Sequence, residues 1–181
     1  MSDKALSIAP RLLRTLAVGV AVTIVLIVLT AGGRVEVLAD LARGLHGRLH
    51  APRLDLLAAA APQIQIHVLA VSVALCVGVA LMLGVKGRPL HRALGWTWVA
   101  AMATAAISSL FIHRVGAGPF SFLHLFAGWT LIALPVGVAA ARTHRVRLHQ
   151  RTMTGLFVGG LLIAGVFAFL PGRLMWRVAF G

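Results

Sequence analysis

Four histidines in this chain recur in a pattern suited to holding a metal-centred group in an apolar setting. His67 and His91 lie 24 residues apart, and His124 and His149 lie 25 apart. Each pair brackets one apolar stretch and the basic loop that follows it. The same unit therefore stands twice in the chain, with one imidazole toward either end of it. An imidazole in or beside hydrocarbon is costly, so histidines at such positions call for a partner. A b-type haem would supply one. It takes two axial imidazoles from opposed helices, an apolar slot for its ring, and cations for its two propionates. Polar bonding between helices, another metal, or a substrate site are the other uses open to these residues.

The elements that must position these side chains are membrane helices. Of 181 residues, 60% are hydrophobic, and the mean hydropathy is +0.95. Five uncharged apolar runs stand out: Leu16–Ala31, Ile64–Val85, Ala93–Ile112, Phe120–Ala141 and Met153–Leu170. A helix of about 20 apolar residues crosses the hydrocarbon core. The runs lack the period-2 polarity of barrel strands. The expected fold is an all-α integral membrane protein with five transmembrane helices. Helices two to five are expected to form a four-helix bundle with an internal two-helix repeat. In domain terms, residues 1–32 read as an N-terminal signal-anchor helix, 33–62 as an outer amphipathic loop, and 63–181 as the bundle. The first run has Arg11 and Arg14 before it and Ala31-Gly32-Gly33 after it, as a cleaved signal would, but it reads as a retained anchor. In the long loop, Leu38, Leu41, Leu45 and Leu49 recur at helical spacing, with Arg34, Arg43 and Arg48 elsewhere on the wheel. That pattern predicts a helix lying on the outer surface, ended by Pro52 and Pro62.

A net charge of +13 invites a nucleic-acid reading, but the basic residues sit between spans, where they set topology. They crowd the short stretches from Lys86 to Arg92 and from Arg142 to Arg151. This bias puts the N-terminus in the cytoplasm and the C-terminus outside. Gly87 suits a helix C-terminus, and Pro89 suits the first position of the next helix. His91 then falls on that helix's first turn, and His149 near the start of the fifth span. The single cysteine, Cys76, lies within the second span and reads as a small packing residue. It leaves no route to an intramolecular disulfide or a c-type haem motif.

Depth pairs the histidines. His67 and His124 lie just inside the outer ends of helices two and four. His91 and His149 lie at the inner ends of helices three and five. The two levels are roughly 25 Å apart along the helices. Gly78, Ala103, Ala105, Ala106, Gly128 and Gly137 are small residues that could line slots for a flat ring. Ordinary close packing of membrane helices is the other use of such residues. Arg92 and Arg151 are placed for the inner propionates, and Arg114 or Arg173 for the outer ones. His46, His50, His113 and His144 lie in loops and read as solvated. Trp96, Trp98, Trp129 and Trp176 read as interface anchors and packing groups. No Asp or Glu lies in any span, which disfavours ion-coupled transport and di-iron carboxylate chemistry. Phosphate-loop, serine-hydrolase and zinc-protease motifs are absent from the sequence.

Several of these residues carry a resemblance: Lys86-Gly87, His91-Arg92 with Gly95-Trp96, Met102, Ser108 to Ile112, His124-Leu125, Arg142, His149 with Met153, and Pro171-Gly172-Arg173. From His67 to Arg173 the chain resembles a bacterial family of predicted membrane proteins called DUF2306, a domain of unknown function. That resemblance implies a topology rather than an activity. The chain is also loosely similar to the di-haem bundles of the cytochrome b561 and ferric-reductase type. Those set four histidines on successive helices, pairing the first with the third and the second with the fourth. The matching pairs here are His67 with His124 and His91 with His149. Five expected spans rather than six, and two histidines at helix starts, are departures from that pattern. The small membrane factors of haem-copper oxidase assembly have a similar look.

The leading expectation is a b-type haem protein of the bacterial inner membrane, multi-pass in the lipid bilayer, moving electrons across or within it. One or two haem b groups would be held by His67, His124, His91 and His149 as axial ligands. A quinone or a redox protein would exchange electrons with them. A non-enzymatic assembly or haem-handling factor in a larger membrane complex is the alternative, and a small-molecule transporter the third.

Overall fold

In the computed structural model, residues 52–112, 123–170 and 173–180 are described. Every regular element among them is helical. A short α1 (Leu54–Ala58) leads into α2 (Pro62–Leu83), α3 (Pro89–Leu110), α4 (Leu123–Arg142) and α5 (Val146–Gly155). From α5 the chain continues through a π-helical segment, Leu156–Ile163, into α6 (Ala164–Ala168), and α7 (Leu174–Phe180) follows. Four stretches are long and apolar enough to cross a membrane: α2, α3, α4 and the continuous Val146–Ala168, with 22, 22, 20 and 23 residues. At 1.5 Å per residue, such helices match a hydrocarbon core of about 30 Å. The expected first span, Leu16–Ala31, and the amphipathic segment from Leu38 to Leu49 lie outside the described residues.

Local chemistry sets the helix ends. Pro62 and Pro89 each occupy the opening turn of their helix, where a missing N–H costs nothing. Gln65 Nε2 donates to the carbonyls of Ala58 and Ala60, both at 2.9 Å, and ties the end of α1 to α2. α2 ends earlier than the hydropathy suggests, with Gly84 in extended conformation after Leu83. Lys86 Nζ then donates to the terminal carbonyls of Met82 and Gly84. Gly87 takes φ +82 inside the turn rather than at the helix end. The α4–α5 turn repeats the device with His144 at φ +55, a left-handed conformation that histidine tolerates better than most side chains. Both left-handed residues stand two positions before the next helix. His144 is exposed, as expected.

The described residues fall into two compact units, one within 57–161 and the other made of 52–56 with 162–170 and 173–180. In the second, Arg53 N–H donates to Val178 O at 3.0 Å, and the rings of Trp176 and Phe180, one turn apart, meet at a tilt with 4.8 Å between centroids. In the first, each helix packs on its neighbour in sequence: α2 on α3, α3 on α4, and α4 on α5. Small residues let the helices approach. Ala70, Ala74 and Gly78 make the buried stripe of α2. Ala101, Ala105 and Ala106 do the same on α3 around Trp98 and Met102.

Two of the glycines expected to line ring slots prove to hold protein instead. A Cβ on Gly78 would lie 2.6 Å from Phe157 Cε2 and 2.8 Å from Trp98 Nε1. One on Gly137 would lie 2.5 Å from Met153 Cε. Gly159 accepts the ring of Trp129 in the same way, at 2.9 Å. Cys76 is exposed rather than packed. Ile66, Leu69, Leu83 and Ile132, each more than half exposed, form an apolar exterior that only lipid solvates without cost.

Rigid aromatic rings surround Gly78, so Gly78→Ala should destabilise the chain by about 1–3 kcal/mol through overpacking. Gly137→Ala meets the flexible end of Met153 and should cost less. Thermal unfolding of the detergent-purified variants measures both.

Candidate functional site

Helix direction sorts the four histidines into two levels. α2 and α4 begin at one end of the unit, α3 and α5 at the other. His67 lies in the second turn of α2, and His124 in the first turn of α4. His91 and His149 stand in the opening turns of α3 and α5, as the loop chemistry predicts. All four are half-buried.

Two of them are anchored by the backbone of a neighbouring helix. His67 Nδ1 lies 2.9 Å from Ala105 O on α3 and 3.2 Å from Ser108 Oγ. Ser108, itself buried, also donates to Ala105 O at 3.1 Å. His149 Nδ1 lies 3.0 Å from Gly137 O on α4. A carbonyl has no proton to give, so each Nδ1 must be the donor. In the neutral ring the lone pair then belongs to Nε2. This is the tautomer in which a histidine binds a metal through Nε2 while its other nitrogen is held by a carbonyl. It equally suits an acceptor of a proton or hydrogen bond.

The other two share a different feature. One turn beyond His91 comes Gly95, and one turn beyond His124 comes Gly128. A Cβ built on either glycine meets nothing within 4 Å. Both glycines are half-buried and adjoin buried positions, Trp98 in one helix and Ala127 in the other. His124 also keeps its Nε2 atom out of solvent. The expected pairs thus have the same make-up: His67 with His124, and His149 with His91, each join one carbonyl-anchored imidazole to one with an open glycine a turn away. At the second level, His91 lies within electrostatic reach of His149 and Lys86.

The sequence points to Gly128 as a slot residue but gives Gly95 only among the residues that carry the family resemblance. The i, i+4 spacing of histidine and glycine at 91/95 and 124/128 is the signal that distinguishes them. Gly155 instead lies 3.9 Å, by its would-be Cβ, from the ring of Trp129. Arg92 and Arg151 are exposed beside their histidines. Arg173 belongs to the other unit, and Arg114 lies outside the described residues. Trp98 is 4% exposed and serves as packing, whereas Trp96 is 55% exposed. Among the described residues no three His, Cys, Asp or Glu side chains converge, which leaves pairs of imidazoles as the donor sets to weigh.

These features define a helical, multi-pass membrane protein with polar side chains set at two levels. The family described as "Predicted membrane protein (DUF2306)" matches residues 64–175, a stretch that includes α3, α4, α5 and nearly all of α2. The chain belongs to that family. No curated protein and no solved structure matches it.

If the imidazole of His67 serves only to bond α3, His67→Ala should cost about 1 kcal/mol, and His67→Asn, which retains an N–H donor, should recover much of it. Ligation through Nε2 would leave the Asn variant as defective in cofactor content as the Ala variant. Thermal unfolding and bound-cofactor analysis of the two variants separate these roles.

Proposed function

We propose that this chain is a b-type haem protein of the bacterial inner membrane that moves electrons across or within the bilayer. In this reading five spans cross the membrane, with the N-terminus in the cytoplasm and the C-terminus outside. The last four spans form a four-helix bundle. His67 and His124 would hold an outer haem, and His91 and His149 an inner one. A haem iron held by two imidazoles supplies reversible one-electron exchange between its ferric and ferrous states.

The observation that carries the reading is the matched make-up of the two pairs. In each, a backbone carbonyl fixes one ring by its Nδ1–H and leaves Nε2 as a lone-pair donor. In each, the partner histidine has an open glycine one turn along the same helix, where the edge of a flat ring finds room. Gly78 and Gly137 offer no such room, because Phe157 and Met153 fill it. The small residues are therefore not interchangeable: Gly95 and Gly128 are open one turn from a histidine, whereas Gly165 is open with no histidine a turn away. Arg92 and Arg151 lie within two residues of the inner pair and are suited to carboxylates by their fork of donors. A quinone or a redox protein is the exchange partner such a bundle would serve.

The test is a reduced-minus-oxidised absorbance spectrum of the detergent-purified chain, with haem quantified as pyridine haemochrome. Sharp b-type bands with two haems per chain are expected, and His124→Ala should remove one haem and leave the other. A wild-type chain that takes up no haem even on reconstitution overturns the reading and turns attention to a role in assembly.

Gly95 and Gly128 give a second check. With nothing near their Cβ positions, alanine there should stabilise the haem-free chain by about 0.5–1 kcal/mol through helix propensity. Leucine at the same positions should lower haem content. Haem content unchanged by Gly95→Leu and Gly128→Leu would remove both glycines from the site.

A further inference from the structure

Cations gather at the end of the 57–161 unit where α2 turns into α3 and α4 into α5. Lys86, Arg88 and Arg92 come from the first turn, and Arg142, Arg145 and Arg147 from the second; all six are exposed. Among the described residues the only carboxylate is Asp55, which precedes α2 in sequence, belongs to the other unit and pairs with Arg53 at 3.2 Å. Lys86 is held by the carbonyls that end α2. The arginines here have no carboxylate among the described residues.

The two turns also converge. Arg142, in the last turn of α4, places Cζ 5.6 Å from the centre of the Trp96 ring on α3. Arg92 lies one turn before Trp96 and adds to the same positive field. Like charges gathered at one end of a unit repel, and an anion among them relieves that repulsion. The surface between them is not uniformly polar: Leu83, Val85, Leu90 and Val146 are 58–78% exposed. A soluble anion would neutralise the arginines and leave these side chains in water. A ligand with an anionic head and an apolar tail covers both. Tryptophan at the membrane interface and guanidinium groups at headgroup depth are the side chains that such a ligand meets.

We propose that this end of the chain binds the headgroup of an anionic phospholipid, with Arg142 and Trp96 as its clamp and Arg88 and Arg145 beside them. The phosphate accepts from the guanidinium of Arg142, the Trp96 ring holds that guanidinium over α3, and the acyl chains lie against the exposed aliphatic side chains.

The full-length chain, purified in uncharged detergent, is incubated with micelles carrying phosphatidylglycerol or phosphatidylcholine, repurified, and its retained lipid counted by native mass spectrometry. Phosphatidylglycerol should be retained in preference to phosphatidylcholine. Arg142→Gln should weaken that retention about fivefold, Trp96→Leu by about two- to fivefold, and Arg53→Gln, outside both turns, should leave it unchanged. Arg142→Lys keeps the charge and serves if the Gln variant fails to fold; it should still prefer phosphatidylglycerol, but more weakly than wild type. Equal retention of the two lipids, equal loss in Arg53→Gln, or wild-type retention in both Arg142 variants overturns the proposal. Displacement of phosphatidylglycerol by inorganic phosphate alone would assign the site to a soluble anion instead.

Discussion

The constraint from which this structure follows is the cost of an unsatisfied polar group in hydrocarbon. A helix meets its own backbone demand, so apolar runs of this length become helices and nothing else. Side chains are then the remaining liability. Serine and threonine answer it locally: Ser72, Thr97 and Ser109 within their helices, and Thr143 just past the end of α4, each donate to a carbonyl three or four residues back. Histidine is too long and too rigid for that. His67 and His149 reach across to carbonyls of adjacent helices that already serve in helical hydrogen bonding, using the second lone pair of each oxygen. The polar demand of one side chain thereby becomes a tie between two helices.

That tie has a chemical consequence. Fixing the proton on Nδ1 fixes the lone pair on Nε2 and sets the direction in which the ring faces. A solvated histidine shares its proton between two nitrogens and turns freely, so it offers no such definition. The helix-to-helix bond is at once a packing device and a means of presenting a nitrogen donor. The proposed haem ligation rests on this second aspect, and the two aspects respond differently to an asparagine replacement.

Close approach is the other requirement, and glycine meets it in two ways. At Gly78, Gly137 and Gly159 the missing side chain is replaced by Phe157, Met153 or Trp129 from a neighbouring helix. These contacts hold the unit together where the hydrophobic effect gives no drive between helices already in lipid. At Gly95 and Gly128 no neighbour enters the space. Residues of one type thus do opposite work, filled contact in one place and open room in the other.

The sequence by itself determined the class of the protein, the four described spans, the helix start at Pro89, and the placement of His91 and His149 in opening turns. These follow from hydropathy and from proline geometry, which act over a few residues. The family relationship was legible too, in motifs running from the second span to Arg173. The end of α2 was misplaced because Lys86 and Gly84, not hydropathy, decide where the carbonyls are capped. Only the tertiary structure decided which nitrogen of His67 and His149 carries the proton, which glycines are filled, and that Arg142 lies over Trp96. Each of these depends on which atom of a neighbouring helix comes within about 3–6 Å, and that distance is set by helix packing, which no spacing along a single helix encodes.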